Sequence, residues 1–114
     1  GYFLNVHEGP QSISKNKKII FREGMIVSNE PGYYENGKFG IRIENLIRVK
    51  KLKGVNTFDN LTMVPIDKSL INKNLLKESE IQWLNSYHNK VFINLKIFMN
   101  KNELNELKKA CSKI

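Results

Sequence analysis

The sequence predicts an α+β fold in which antiparallel strands come first and helices follow. Three observations predict it. Up to about residue 65, apolar residues fall in short, partly alternating runs separated by Gly and Pro turn signals. From Glu78 onward they recur at three- and four-residue steps. Between the two, after Lys53-Gly54, the character of the chain changes. The 114 residues are of single-domain size. A chain that is 40% hydrophobic and 26% charged is not disordered by composition. No apolar run approaches the ~18 residues of a transmembrane helix. The single cysteine, Cys111, excludes an internal disulfide, and a reducing, intracellular setting is expected.

Residues 1–8 alternate into His7-Glu8 and read as a short strand, ended by a turn at Gly9-Pro10. Residues 11–18 are polar and read as a surface loop. Ile19-Ile20-Phe21 is a short apolar run, closed by a second turn at Arg22-Glu23-Gly24. Met25 to Glu30 is a strand stopped by Pro31-Gly32. Asn36-Gly37 is the strongest short hairpin signal. As a two-residue turn it pairs Glu35 with Lys38, and so Glu30 with Ile43. Phe39 to Val49 is the clearest strand. Phe39, Ile41, Ile43, Ile47 and Val49 share one face, with Asn45 interrupting; Arg42, Glu44, Leu46 and Arg48 share the other.

Leu61 to Pro65 is a last extended piece, and residues 66–76 are irregular. The helix from Glu78 carries an apolar stripe that includes Leu84, His88, Val91 and Leu95, with Trp83 and Tyr87 on a separate flank. Asn100 and Glu103 have the spacing of a capping box. They would start a final short helix with Leu104, Leu107 and Cys111 inward.

Nineteen basic against eleven acidic residues give a net charge of +8. The cations are spread along the chain, and all but Arg22, Arg42 and Arg48 are Lys, which act as point charges rather than bidentate forks. No recognition-helix or aromatic nucleic-acid pattern accompanies them. A solvated Lys-rich surface accounts for the charge, and neither a nucleic-acid nor a membrane partner is expected.

Three polar residues stand within or at the end of apolar strands: His7, Glu30 and Glu44. A carboxylate in such a place is unfavourable unless it is paired or bound to a metal. On spacing alone two readings stand. Glu30 and Glu44 hold a divalent cation, or Glu44 pairs with Arg42 or Arg48 while Glu30 caps a turn. His7 by itself reads as a structural histidine. In the two-residue hairpin register the two Glu point to opposite faces. A shared site then requires a slip, and a bulge or break is expected near residues 31–34, where Pro31 cannot donate to the ladder.

The wording of the motifs adds to this. Val6-His7-Glu8-Gly9-Pro10, then Asn29-Glu30-Pro31-Gly32-Tyr33-Tyr34, then Gly40-Ile41-Arg42-Ile43-Glu44-Asn45, in this order, resemble the catalytic domain of the X-Pro aminopeptidases (aminopeptidase P) of the pita-bread metallopeptidase family. Leu61 to Asp67 and Ile81 to His88 look like the C-terminal extension of the larger, eukaryotic-type members. The resemblance covers essentially the whole chain. It implies the C-terminal part of a pita-bread catalytic domain at 1–53, followed by a mostly helical extension at 54–114.

The resemblance also implies a site with two divalent cations, manganese first and zinc or cobalt as alternatives, held by two Asp, one His and two Glu. Glu30 matches the first Glu of that set and would also serve as general base. Glu44 matches the last Glu, which bridges the metals. His7 matches a non-ligand histidine that helps bind substrate and move protons. Arg42 matches an arginine that orients the carboxylates. Gly1 matches the last residue of the stretch that holds the metal-binding His. That His and both Asp would therefore precede residue 1, and the isolated chain is expected to be inactive. The implied reaction is hydrolysis of an N-terminal X-Pro bond by a metal-activated water, on peptides with proline second, in a cytoplasmic homodimer. The alternatives are a prolidase-like dipeptidase with the same metal chemistry and a non-catalytic pita-bread interaction module. Loss of Glu30 or Glu44 would favour the latter, and both are present.

Overall fold

The computed structural model describes residues 9–15 and 19–114. The strand expected over residues 1–8, with His7, lies outside the described residues. The chain divides into two compact units, Gly1–Thr62 and Met63–Ile114, and each is taken by itself.

The first unit is antiparallel. Strands β1 (Ile26–Asn29), β4 (Asn45–Leu52) and β5 (Val55–Asn60) form one sheet in the order β1-β4-β5; β2 (Gly32–Glu35) and β3 (Phe39–Arg42) form a second. Alternation along β4 buries Asn45, Ile47 and Val49, with Val27 of β1 also buried. The polar interruption at Asn45 is satisfied, because its side-chain amide donates to Asn60 Oδ1 at 2.9 Å. On the opposite face Asp59 lies across from Arg48 and accepts from Arg48 at 3.3 Å and from Lys50 at 2.6 Å.

Strand β5 is not anticipated by the sequence pattern. Asn56, Asp59 and Asn60 lower its strand propensity, and pairing with β4 supplies what propensity does not. The turn before it holds the usable signal. Lys53 and Gly54 have φ of +49° and +83°, which suits a two-residue hairpin turn. Through this pairing the compact unit runs on to Thr62.

The hairpin at Asn36-Gly37 is present, but its register differs from the two-residue expectation. Glu35 faces Phe39, so the loop has three residues, Asn36 to Lys38, with Gly37 at φ +70°. The long strand expected over 39–49 is two strands, interrupted at Ile43-Glu44. The cause lies across the ladder. Ile43 donates to the Pro31 carbonyl at 3.3 Å, but Pro31 has no N–H to return the bond. A break therefore occurs at Glu30-Pro31, yet no residue slips there. Asn29 faces Asn45 before the break and Gly32 faces Arg42 after it, which is one continuous register.

The second unit is helical. Helix α1 (Glu78–Leu95) passes through a 3-10 turn (Lys96–Phe98) to α2 (Lys101–Ala110). The capping box is as expected. Asn100 Oδ1 accepts from the N–H groups of Asn102 and Glu103, and the Glu103 carboxylate accepts from the Asn100 N–H at 2.9 Å. Tyr87, Val91 and Leu107 form the core, with Met63, Ile66 and Phe92 packed against it. Two consecutive helix residues pin the extended segment before α1. The Tyr87 hydroxyl donates to the Val64 carbonyl at 2.8 Å, and His88 Nε2 accepts from the Ile66 N–H at 3.1 Å. Lys68 closes the other end. Its ammonium donates to the Ser112 carbonyl and hydroxyl at 2.5 and 2.7 Å, where a cation complements the C-terminus of α2. Trp83 stacks on Tyr87 with ring centroids 5.5 Å apart, so the flank expected to be separate is part core and part cover. No helix among the described residues is long and apolar enough to cross a membrane.

His88 is fully buried. Burial is the main cause that lowers its pKa below the usual 6.5, and the Lys68 ammonium adds to it; the Ile66 and Ser112 backbone groups act the other way and are outweighed. The unfolded chain therefore binds a proton near pH 6.5 that the folded chain still refuses. The contribution of this histidine to stability is complete above that pH and declines as pH falls below it. Urea melts followed by the single Trp, Trp83, should show this decline. His88→Leu should abolish it and cost about 1–3 kcal/mol, because the Ile66 N–H loses its acceptor.

Candidate functional site

The unbroken register decides the geometry of the acidic residues. With Asn29 opposite Asn45 and Gly32 opposite Arg42, Glu30 falls opposite Glu44. The neighbouring pair, Pro31 and Ile43, has the hydrogen-bonded type of facing. Glu30 and Glu44 thus form the other type, in which facing side chains come closest. Period two then puts Ser28, Glu30, Arg42 and Glu44 on one face. The opposite-face problem raised by a two-residue turn disappears with the third loop residue.

Arg42 sits between the two carboxylates. Its Nη1 is 3.8 Å from Glu30 Oε2, and its Nε is 3.4 Å from Glu44 Oε2. Ser28 Oγ donates to Glu30 Oε1 at 2.8 Å. The three charged side chains are 27%, 42% and 51% exposed for Glu30, Glu44 and Arg42. Ion pairs this exposed contribute about 0–1 kcal/mol each. Facing like charges oppose folding by about 0.2–1 kcal/mol. The cluster therefore adds little to stability, and its arrangement calls for another reason.

Tyr34 shares the face and has no assigned role in the sequence reading. Its ring lies over two glycines. A Cβ at Gly32 would stand 2.7 Å from Tyr34 Oη, and one at Gly40 would stand 2.6 Å from Tyr34 Cδ1. Its position four residues after Glu30, with glycines placed to receive it, was the available signal. Ser28 was missed as well, although period two alone places it beside Glu30.

Two opposed carboxylates supply oxygen donors of the kind that hard divalent cations take. Among the described residues no group of three or more His, Cys, Asp or Glu could hold a metal ion. The described residues thus offer two facing carboxylates with an arginine between them, fewer donors than a metal site takes. Cys111 belongs to the helical unit. It caps α2, half-buried, and burial pushes its thiol up despite the pull of Lys68.

Residues 1–51 match the model described as metallopeptidase family M24, and residues 54–114 match the C-terminal region of peptidase M24. The chain belongs to the M24 metallopeptidase family. Among curated relatives, a probable Xaa-Pro aminopeptidase P of Tuber melanosporum is 47% identical over 91% of this M24 chain and 19% of its own length. Aminopeptidase P2 of Arabidopsis thaliana is 48% identical over 81% and 14%. A solved X-prolyl aminopeptidase of Caenorhabditis elegans, described as a cytosolic enzyme with a di-nuclear active site, superposes with a TM-score of 0.83 at 37% identity. That comparison covers 96% of this chain and 20% of the other. The M24 chain spans between 14% and 20% of the length of these relatives. Its fold is the C-terminal α+β part of the pita-bread architecture.

If the acidic pair serves function rather than folding, stability should barely notice it. In urea melts of the M24 chain, Glu44→Gln should change stability by less than about 0.5 kcal/mol, since it also removes a repulsion. Arg42→Gln should lower stability by less than about 1 kcal/mol, and 1 M salt should shrink the difference. A loss of several kcal/mol from Glu44→Gln would instead mark the carboxylate as structural.

Proposed function

We propose that this M24 chain is the C-terminal portion of an aminopeptidase that hydrolyses the N-terminal X-Pro bond of peptides with proline at the second position. The observation that carries the reading is Glu30 opposite Glu44, with Arg42 reaching both. The relatives named as Xaa-Pro aminopeptidases support that substrate class over the dipeptides of a prolidase.

Two divalent cations, manganese by preference, would supply Lewis-acid activation of a water and of the scissile carbonyl when bound. Glu30 and Glu44 would be two of their ligands, with Glu44 shared between the metals. Glu30 would also accept the proton of the attacking water. Arg42, held against both carboxylates, would keep their oxygens directed to one place. His7, outside the described residues, takes its role from the family motif: it would hydrogen-bond the substrate carbonyl region and help pass a proton to the leaving proline nitrogen. The reading includes a division into catalytic part at 1–53 and C-terminal extension at 54–114. It also includes a homodimeric, cytoplasmic parent protein, the location resting on the cytosolic neighbour.

In the full-length protein, Glu44→Ala should abolish both metal occupancy and X-Pro hydrolysis. Metal analysis that still finds two ions in this variant would remove the bridging role. The 114-residue chain alone, supplied with Mn²⁺ and an X-Pro peptide, should release amino acid only at background rate, because two carboxylates are too few donors to organise two cations. Turnover above background would refute this.

A further inference from the structure

We propose that Ser28 is a positioning residue for Glu30, holding one carboxylate oxygen so that the other is presented to the shared site. The inference rests on the reading of Glu30 as a metal ligand. The two oxygens of Glu30 stand in different surroundings. Oε1 accepts the Ser28 hydroxyl at 2.8 Å, while Oε2 is directed toward Arg42, which also reaches Glu44. The terminal torsion of a Glu side chain is broad and nearly two-fold, so either oxygen could otherwise turn inward. A donor dedicated to Oε1 lifts that degeneracy. It leaves Oε2 as the oxygen on the side that Glu30 shares with Glu44.

The backbone under Ser28 is suited to the task. Ser28 faces Leu46, whose N–H is held by Thr62 Oγ1 at 2.8 Å and whose carbonyl accepts from the Leu61 N–H at 2.9 Å. The strand opposite Ser28 is thereby anchored from its far side. Ser28 lies in the β1–β4 ladder, Glu30 directly follows the end of β1, and their side chains meet. The bond is partly buried, where water competes less for the carboxylate oxygen. A hydroxyl in this place sets the orientation of a ligand, as groups behind metal ligands do.

The test uses the full-length protein containing this chain, stripped of metal and titrated with Mn²⁺ alone, with binding read by the free-Mn²⁺ electron paramagnetic resonance signal. Ser28→Thr and Ser28→Val are nearly isosteric, and only Thr keeps the hydroxyl. Ser28→Val should bind Mn²⁺ about 10–100-fold more weakly than the native protein, and Ser28→Thr should restore native affinity. Melting of the metal-free proteins should not separate Val from Thr. If Val fails to fold, Ser28→Ala replaces it with the same expected loss. Native affinity in Val or Ala, or equal losses in Val and Thr, overturns the inference. Glu30→Gln distinguishes the underlying reading. Unchanged Mn²⁺ affinity there removes Glu30 as a ligand altogether; loss there with native binding in Ser28→Val removes the role of Ser28 alone.

Discussion

The register of one antiparallel ladder is the constraint on which the acidic site depends. Strand periodicity is two, so a slip of a single residue would send Glu30 and Glu44 to opposite faces. The three-residue loop from Asn36 to Lys38 sets the register at one end. The pairing of β1 with β4 holds it at the other, with Val27 and Ile47 buried as facing partners. Between the two anchors Pro31 withholds one hydrogen bond without changing the count of residues. The interruption loosens the ladder where the carboxylates sit and leaves them facing each other.

That placement runs against local electrostatics. Arg42 moderates it, and Ser28 adds a neutral donor. Neither interaction is strong enough, at this exposure, to explain the cluster as a stabilising device. Stability in this unit comes instead from the buried row on the other side of β4 and from the Asn45–Asn60 bond beneath it. The buried row and the acidic cluster therefore lie on opposite faces of one register. The helical unit has its own economy: Tyr87 and His88 fill its interior while satisfying the backbone of the 64–66 segment.

Much of this was legible from the residues. The 3.6-residue periodicity of α1, the Asn100–Glu103 cap and the alternation of β4 are local patterns that local structure obeys. Glu30 and Glu44 stood out as charges in apolar strands, with Arg42 offered as a partner of Glu44 and by the family resemblance, and the structure brings these three together. What failed to show was long-range. Strand β5 exists because β4 offers it an edge, and its Asn-rich composition hides it. The loop at Asn36-Gly37 takes a third residue, in the same register that pairs β1 with β4, and a dipeptide signal cannot report that long-range pairing. Tyr34 lies on Gly32 and Gly40 from two different strands, so its seat exists only after they pair.

The sequence by itself determined the order of strands and helices, the caps, and the chemical identity of the acidic and basic residues, since each of these depends on neighbours within a few positions. Its motifs also pointed to the M24 family before any fold was built. Only the tertiary structure decided which carboxylates face each other, which oxygen of Glu30 the Ser28 hydroxyl holds, and that His88 is a buried acceptor for the Ile66 N–H. Those outcomes depend on register and on contacts between residues far apart in the chain. Periodicity assigns a residue to a face; pairing across strands and helices decides what it meets there.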